Sequence, residues 1–167
     1  MYDPATAVQG LEAVATSQLE NPTVTAALAA FTGIATDAKY DRAELTLTVP
    51  GESIISAAQA AQAAGYNFLE DVTAVDWYPS EPRFQITYHI LSHNLKSRLR
   101  LVARLDSTEA AIDSITPIWP SANFYEREVF DLFGVHFGGH PNLRRIMMPE
   151  DWQGHPLRKD YPVEGYR

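Results

Sequence analysis

Residues 124–145 read FYEREVFDLFGVHFGGHPNLRR and gather three carboxylates (Glu126, Glu128, Asp131), three arginines (Arg127, Arg144, Arg145) and two histidines (His136, His140). Two kinds of chemistry could use such a set. Carboxylates and imidazoles with shifted pKa values act as general acids and bases inside a pocket. The same residue types, paired and desolvated, instead fix the register of packed surfaces. Arg127 and Asp131 stand four apart and Glu128 and Asp131 three apart, so on a helix they can meet on its surface. Phe124, Val129, Phe130, Leu132 and Phe133 wrap most of that helix. Part of Glu126-Arg127-Glu128 must therefore abut protein rather than water, and each buried charge there needs a partner. This favours a paired structural or interface network over acid–base catalysis, and no catalytic residue is expected.

A metal centre is the other reading of the histidines. His136, His140 and His155 could offer three nitrogens to zinc. A pair four apart serves a metal when both lie on one helix face, but Gly138 and Gly139 stand between them and make a helix unlikely. His140 and His155 each sit in a Gly-His-Pro triplet, where glycine and proline set a tight bend and the imidazole can bond nearby backbone or carboxylate. No glutamate completes an H-E-x-x-H arrangement. Ordered turns are expected, and no metal. Arg158 and Lys159 lie beside Asp160 and are expected to pair with it rather than to form an anion site. Neither a Gly-rich dinucleotide loop, a P-loop nor a G-x-S-x-G elbow is present.

The composition narrows the field further. With 167 residues a single domain is expected, and a formal charge of −8 excludes a protein that binds nucleic acid by neutralising phosphates. Cysteine is absent, so disulfides, thiolate zinc sites, ordinary iron–sulfur ligation and thiol nucleophiles are excluded. Any redox cofactor is expected to belong to a partner. The first basic residue is Lys39, which argues against a cationic targeting peptide. The uncharged stretch of residues 21–36 is too short and weakly apolar to span a bilayer, so any membrane association is expected to be indirect.

The elements that must position these residues follow from periodicity. Residues 8–19 and 23–33 read as alanine-rich helices, the second capped by Asn21 with Pro22 in its first turn. Glu44–Pro50 alternates like a half-buried strand. Residues 50–66 read as a helix stopped by Gly65. Three strands follow over 67–78, 83–91 and 98–105, joined by links of hairpin length. Residues 106–115 and 121–134 read as helices, the latter capped by Ser121 and closed by Gly134. An α/β (α+β) class follows: a mixed, largely antiparallel sheet of about four strands with helices on one face.

Residues 134–167 have no sustained period, yet carry Phe137, Ile146, Met147, Met148, Trp152, Leu157, Tyr161 and Tyr166, too much apolar surface for a solvated tail. They hold five lysines and arginines against four acids, whereas residues 1–133 hold eight against seventeen, a net −9. The expected layout is an acidic α/β part, 1–133, and an ordered strap, 134–167, used for docking, since aromatic residues and arginines anchor interfaces.

One segment carries a resemblance. EREVFDLFGVHFGGHPNLRRIM resembles the signature of the thirty-kilodalton subunit family of respiratory complex I, which in bacteria is the C subunit of proton-translocating NADH:quinone oxidoreductase. Its positions are filled by Glu126, Arg127, Glu128, Asp131, Leu132, Phe133, His140, Arg144, Ile146 and Met147. PEDWQGHPLRKDYP resembles the second block of that family and RFQITYHILS its central strand, so the likeness spans roughly residues 66–162. The resemblance implies a cofactor-free component of the peripheral arm on the cytoplasmic side of a bacterial membrane. FMN and iron–sulfur clusters would lie in partner subunits, and this chain would pack against the large quinone-site subunit and neighbouring iron–sulfur subunits. It places the partner interface on the signature residues with Arg145, Trp152, His155, Arg158, Lys159, Asp160 and Tyr161. An equivalent subunit of a membrane-bound hydrogenase is the alternative, and a stand-alone histidine-metal enzyme a remoter one.

Overall fold

The computed structural model describes residues 7–165. Strand β1 (Val8–Gln9) leads into α1 (Leu11–Ser17), α2 (Pro22–Ala30), β2 (Asp37–Asp41) and β3 (Glu44–Thr48). A 3-10 turn, Gly51–Ser53, opens α3 (Ile54–Ala63), and β4 (Phe68–Asp76), β5 (Phe84–Ser92) and β6 (Ser97–Leu105) follow. The chain then forms β7 (Ala111–Asp113), α4 (Ala122–Phe133) and β8 (His136–Gly138).

Among the described residues six strands form the main sheet, in the order β1-β2-β3-β6-β5-β4. Every neighbouring pair is antiparallel except β3 with β6, where Leu45 stands opposite Leu99 and Leu47 opposite Leu101. The class is as expected, with two strands more than the periodicity suggests. Alternation works as it should: Leu45, Leu47, Ile86, Tyr88, Ile90, Leu99 and Leu101 are buried in the core under the helices. The other face pairs polar side chains across strands, as in Asp71 with His89 and Arg100 with both His89 and Glu44.

Four local readings need correction. The helix expected over 8–19 begins at Leu11, because Gly10 at φ 100° breaks off a short strand that pairs with β2. β2 is missed by pattern reading because its hairpin to β3 turns through Arg42 (φ 52°) and Ala43 (φ 62°), without the glycine or asparagine that marks such turns. Residues 106–115 are not a helix: Ala111–Asp113 pairs in parallel with His136–Gly138, setting buried Ile112 beside Phe137. Helix-favouring Glu-Ala-Ala yields there to a partner strand that satisfies the backbone. Ser121 precedes α4 but makes no capping bond, whereas Asn21 does accept from the Val24 amide at the start of α2.

Candidate functional site

Helix α4 is amphipathic, and its inward face carries two carboxylates. Glu126 is fully buried and accepts from the Ser114 hydroxyl (2.5 Å), the Ile115 amide (2.8 Å) and the Thr116 hydroxyl (3.2 Å). It thereby ties the segment after β7 to the helix. Burial pushes its pKa up, against the lowering effect of these three donors.

Asp131 is also fully buried and anchors the strap. One oxygen accepts from Arg145 at 2.6 Å. The other takes the successive amides of Ile146, Met147 and Met148 at 2.9, 2.7 and 2.8 Å, so a turn of the strap closes around a single atom. Burial would raise this carboxyl's pKa, but the three amides and the guanidinium outweigh it and hold it below the usual range. Arg127 does not pair with Asp131 as its spacing suggests. Its guanidinium donates to the carbonyls of Arg144 (3.1 Å) and Arg145 (3.2 Å), because Asp131 faces inward toward the strap.

The histidines are turn-builders. His140 Nε2 donates to the Asn123 carbonyl at 3.1 Å while its Nδ1 accepts from the Asn142 amide at 3.0 Å. A carbonyl only accepts and an amide only donates, so the ring holds one proton, on Nε2. His155 Nδ1 donates to the Asp131 carbonyl at 2.9 Å. Burial lowers the pKa of both rings. His136 lies on the exposed side of β8, apart from both bonds, and among the described residues no three metal-ligating side chains cluster.

A second anchor lies at the tip of β4 and β5. Arg83 grips Asp76 through Nε (2.9 Å) and a terminal nitrogen (2.8 Å), and grips Asp160 of the strap at 2.9 and 2.6 Å. The Lys159 amide adds a bond to Asp76 at 2.8 Å. Asp160 therefore pairs with Arg83, not with its sequence neighbours. Arg158 instead donates to the carbonyls of Phe133 and Gly134, and the Leu157 amide donates to Leu132. These contacts require Gly134. Its φ is 73°, and a Cβ there would lie 2.5 Å from both Arg158 and the His155 ring. Sequence reading missed Asp76 and Arg83. Their only signal is a charged residue inside a buried strand end and another just before a strand, a weak cue without the fold.

The signature thus divides. Glu126, Arg127, Asp131 and Phe133 are buried within the chain itself, and Leu132, His140, Arg145, His155, Arg158 and Tyr161 are half-buried. Facing outward are Phe124 (62%), Glu128, Arg144, Ile146, Met147 (62%), Trp152, Leu157 and Lys159. Asp160 is exposed but held by Arg83. Tyr166 lies outside the described residues.

Acid should loosen the strap from both anchors. Burial would raise the Asp76 pKa, but the Arg83 and backbone bonds bring it down from 3.8 to about 2. A depressed carboxylate stabilises the fold above its unfolded pKa and loses that effect as pH falls through the folded value. Asp76 alone then contributes about 2 kcal/mol at neutral pH, lost between about pH 5 and 1. Asp131 adds in the same sense, while Glu126, with its raised pKa, acts in the opposite sense and softens the net fall. Urea melts from pH 7 to 3 should show stability dropping below pH 5, with amides 146–148 and 159 exchanging first. A flat profile would contradict this assignment.

The fold of this chain is similar to that of two solved structures. The chain is similar to a trypsin-resistant fragment of Nqo5 (TM-score 0.63, 30% identity, 75% of this chain and 99% of that one). It is also similar to a chain of the membrane-bound sulfane sulfur reductase, an archaeal respiratory membrane complex (TM-score 0.70, 26% identity, 91% and 85%). The family described as respiratory-chain NADH dehydrogenase, 30 Kd subunit, matches residues 47–167, and the chain belongs to that family. Proteins named as the C subunit of NADH-quinone oxidoreductase are similar to it. That of Citrifermentans bemidjiense is 49% identical over 74% of this chain and 78% of its own length. That of Geobacter sulfurreducens is 47% identical over 77% and 81%. Among the described residues no helix is long and apolar enough to cross a membrane.

Proposed function

We propose that this chain is a cofactor-free assembly subunit in the peripheral arm of a proton-translocating NADH:quinone oxidoreductase, on the cytoplasmic side of a bacterial membrane. It docks the exposed face of α4 and the strap on the large quinone-site subunit and neighbouring iron–sulfur subunits. Electrons pass from NADH through FMN and iron–sulfur clusters of those partners, and the catalytic groups belong to them. The observation that carries this reading is the division of the signature. Its inner charges are committed to holding the strap, while Phe124, Met147, Trp152 and Leu157 stay exposed beside Glu128, Arg144 and Lys159, whose side chains make no ion pair among the described residues. A rigid surface of aromatic, methionine and arginine side chains is what a stable interface needs.

The reading is tested by tagging the chain in its host, solubilising membranes in mild detergent, and identifying what co-purifies. Flavin and iron–sulfur subunits with NADH:quinone activity are expected. Nickel-containing or sulfur-reducing subunits would favour the second reading, an equivalent subunit of a membrane-bound hydrogenase or related oxidoreductase, which the likeness to the sulfane sulfur reductase supports. Recovery of the chain alone would reject both.

Surface variants separate docking from folding. Glu128→Arg with Arg144→Glu should change stability by less than about 0.5 kcal/mol, since both side chains are exposed and make no ion pair among the described residues. The same pair should cut recovery of partner subunits severalfold. Full recovery would remove these two residues from the interface.

A further inference from the structure

Between α1 and α2 runs an open groove of about 450 Å³, walled by Leu11, Ala15, Leu19, Leu28, Ala29 and Phe31, with Glu12 as the one charged residue on its wall among the described residues. It belongs to the segment that precedes the family-matched residues 47–167 and takes no part in anchoring the strap. We propose that this groove is a docking site for a basic-edged amphipathic helix of a neighbouring polypeptide.

Three observations converge on that occupant. The first is that α1 has little support among the described residues. It has seven residues, no side-chain N-cap, and only Val14 buried, whereas helices this short are marginal without tertiary cover. Leu11 remains 38% exposed and Leu19 just beyond the helix 72% exposed. The second is shape: Ala15, Thr25, Ala29, Thr32 and Gly33 present small side chains along the groove, so another helix can approach closely while its apolar residues reach Leu28 and Phe31. The third is charge. Residues 1–38 contain Asp3, Glu12, Glu20 and Asp37 and no lysine or arginine. Arg42, Lys96 and Arg98 line a separate cavity at the opening end of α2. An apolar helix edged with lysine or arginine fits an apolar floor with Glu12 on its wall, and an acid-edged one is repelled.

The test uses the full-length chain, isotopically labelled for amide NMR. The probe is a synthetic amphipathic leucine–lysine helix of about 18 residues, five turns. Its controls are a leucine–glutamate helix of the same pattern and a scrambled leucine–lysine sequence. The leucine–lysine helix should shift the amides of Leu11, Ala15, Leu28 and Gly33, and bind at least about tenfold more tightly than either control. Glu12→Lys, on an exposed wall, should weaken it roughly tenfold. Ala29→Trp should fill the groove and abolish the shifts while the sheet amides keep their positions. No binding, equal binding of either control, or shifts mapped to the sheet face or strap would overturn the proposal. None of these outcomes depends on whether the strap docks as described above.

Discussion

Asp131→Asn is expected to destabilise the chain by about 3 kcal/mol, through the penalty of leaving buried donors unpaired. The substitution is isosteric, so the loss isolates electrostatics from packing. A carboxamide has one acceptor oxygen. If it faces the Ile146, Met147 and Met148 amides, its NH2 confronts the Arg145 guanidinium 2.6 Å away. If it faces Arg145, the NH2 confronts three amides converging on one point. Neither orientation satisfies the site. The strap should release before the sheet: proteolysis should cut near residues 145–155 while β4, β5 and β6 stay protected. A double-mutant cycle with Arg145→Met measures the pair directly, and additivity of the two losses would mean that the guanidinium and carboxylate do not act together.

Arg83→Met should cost about 3 to 5 kcal/mol, because it leaves Asp76 buried without its counter-ion. Asp76 is 3% exposed and keeps only the Tyr78 and Lys159 amides. The companion variant Asp76→Asn should cost less, since a neutral amide tolerates burial better than an unpaired charge and Arg83 retains Asp160. Stability of both by urea titration decides the matter, and an Asp76 variant weaker than the Arg83 variant would reverse the assigned roles. Arg83→Met should also depress recovery of partner subunits, because Asp160 and Lys159 lose their anchor and the strap its position.

The two anchors differ in how visible they were. The Asp131 anchor lies within one contiguous segment, and residue types there already pointed to paired, buried charge. Which charge met which was not readable. Arg127 and Asp131 have helix spacing for a pair, but a longer-range partner reached Asp131 first, and Asp160 ignored its own neighbours for an arginine 77 residues away.

Local periodicity and composition encode the alternating strands β3 to β6, the Asn21 cap, the closure of α4 at Gly134 and the exclusion of cysteine chemistry. Four features came only with folding: the parallel joining of β3 to β6, the conversion of 106–115 from expected helix to a strand beside β8, the glycine-free turn from β2 into β3, and the Arg83 anchor. The physical reason is common to these four. A period of 2 or 3.6 is a property of neighbours along the chain, whereas a backbone ladder or a desolvated ion pair takes its free energy from groups that only folding brings together.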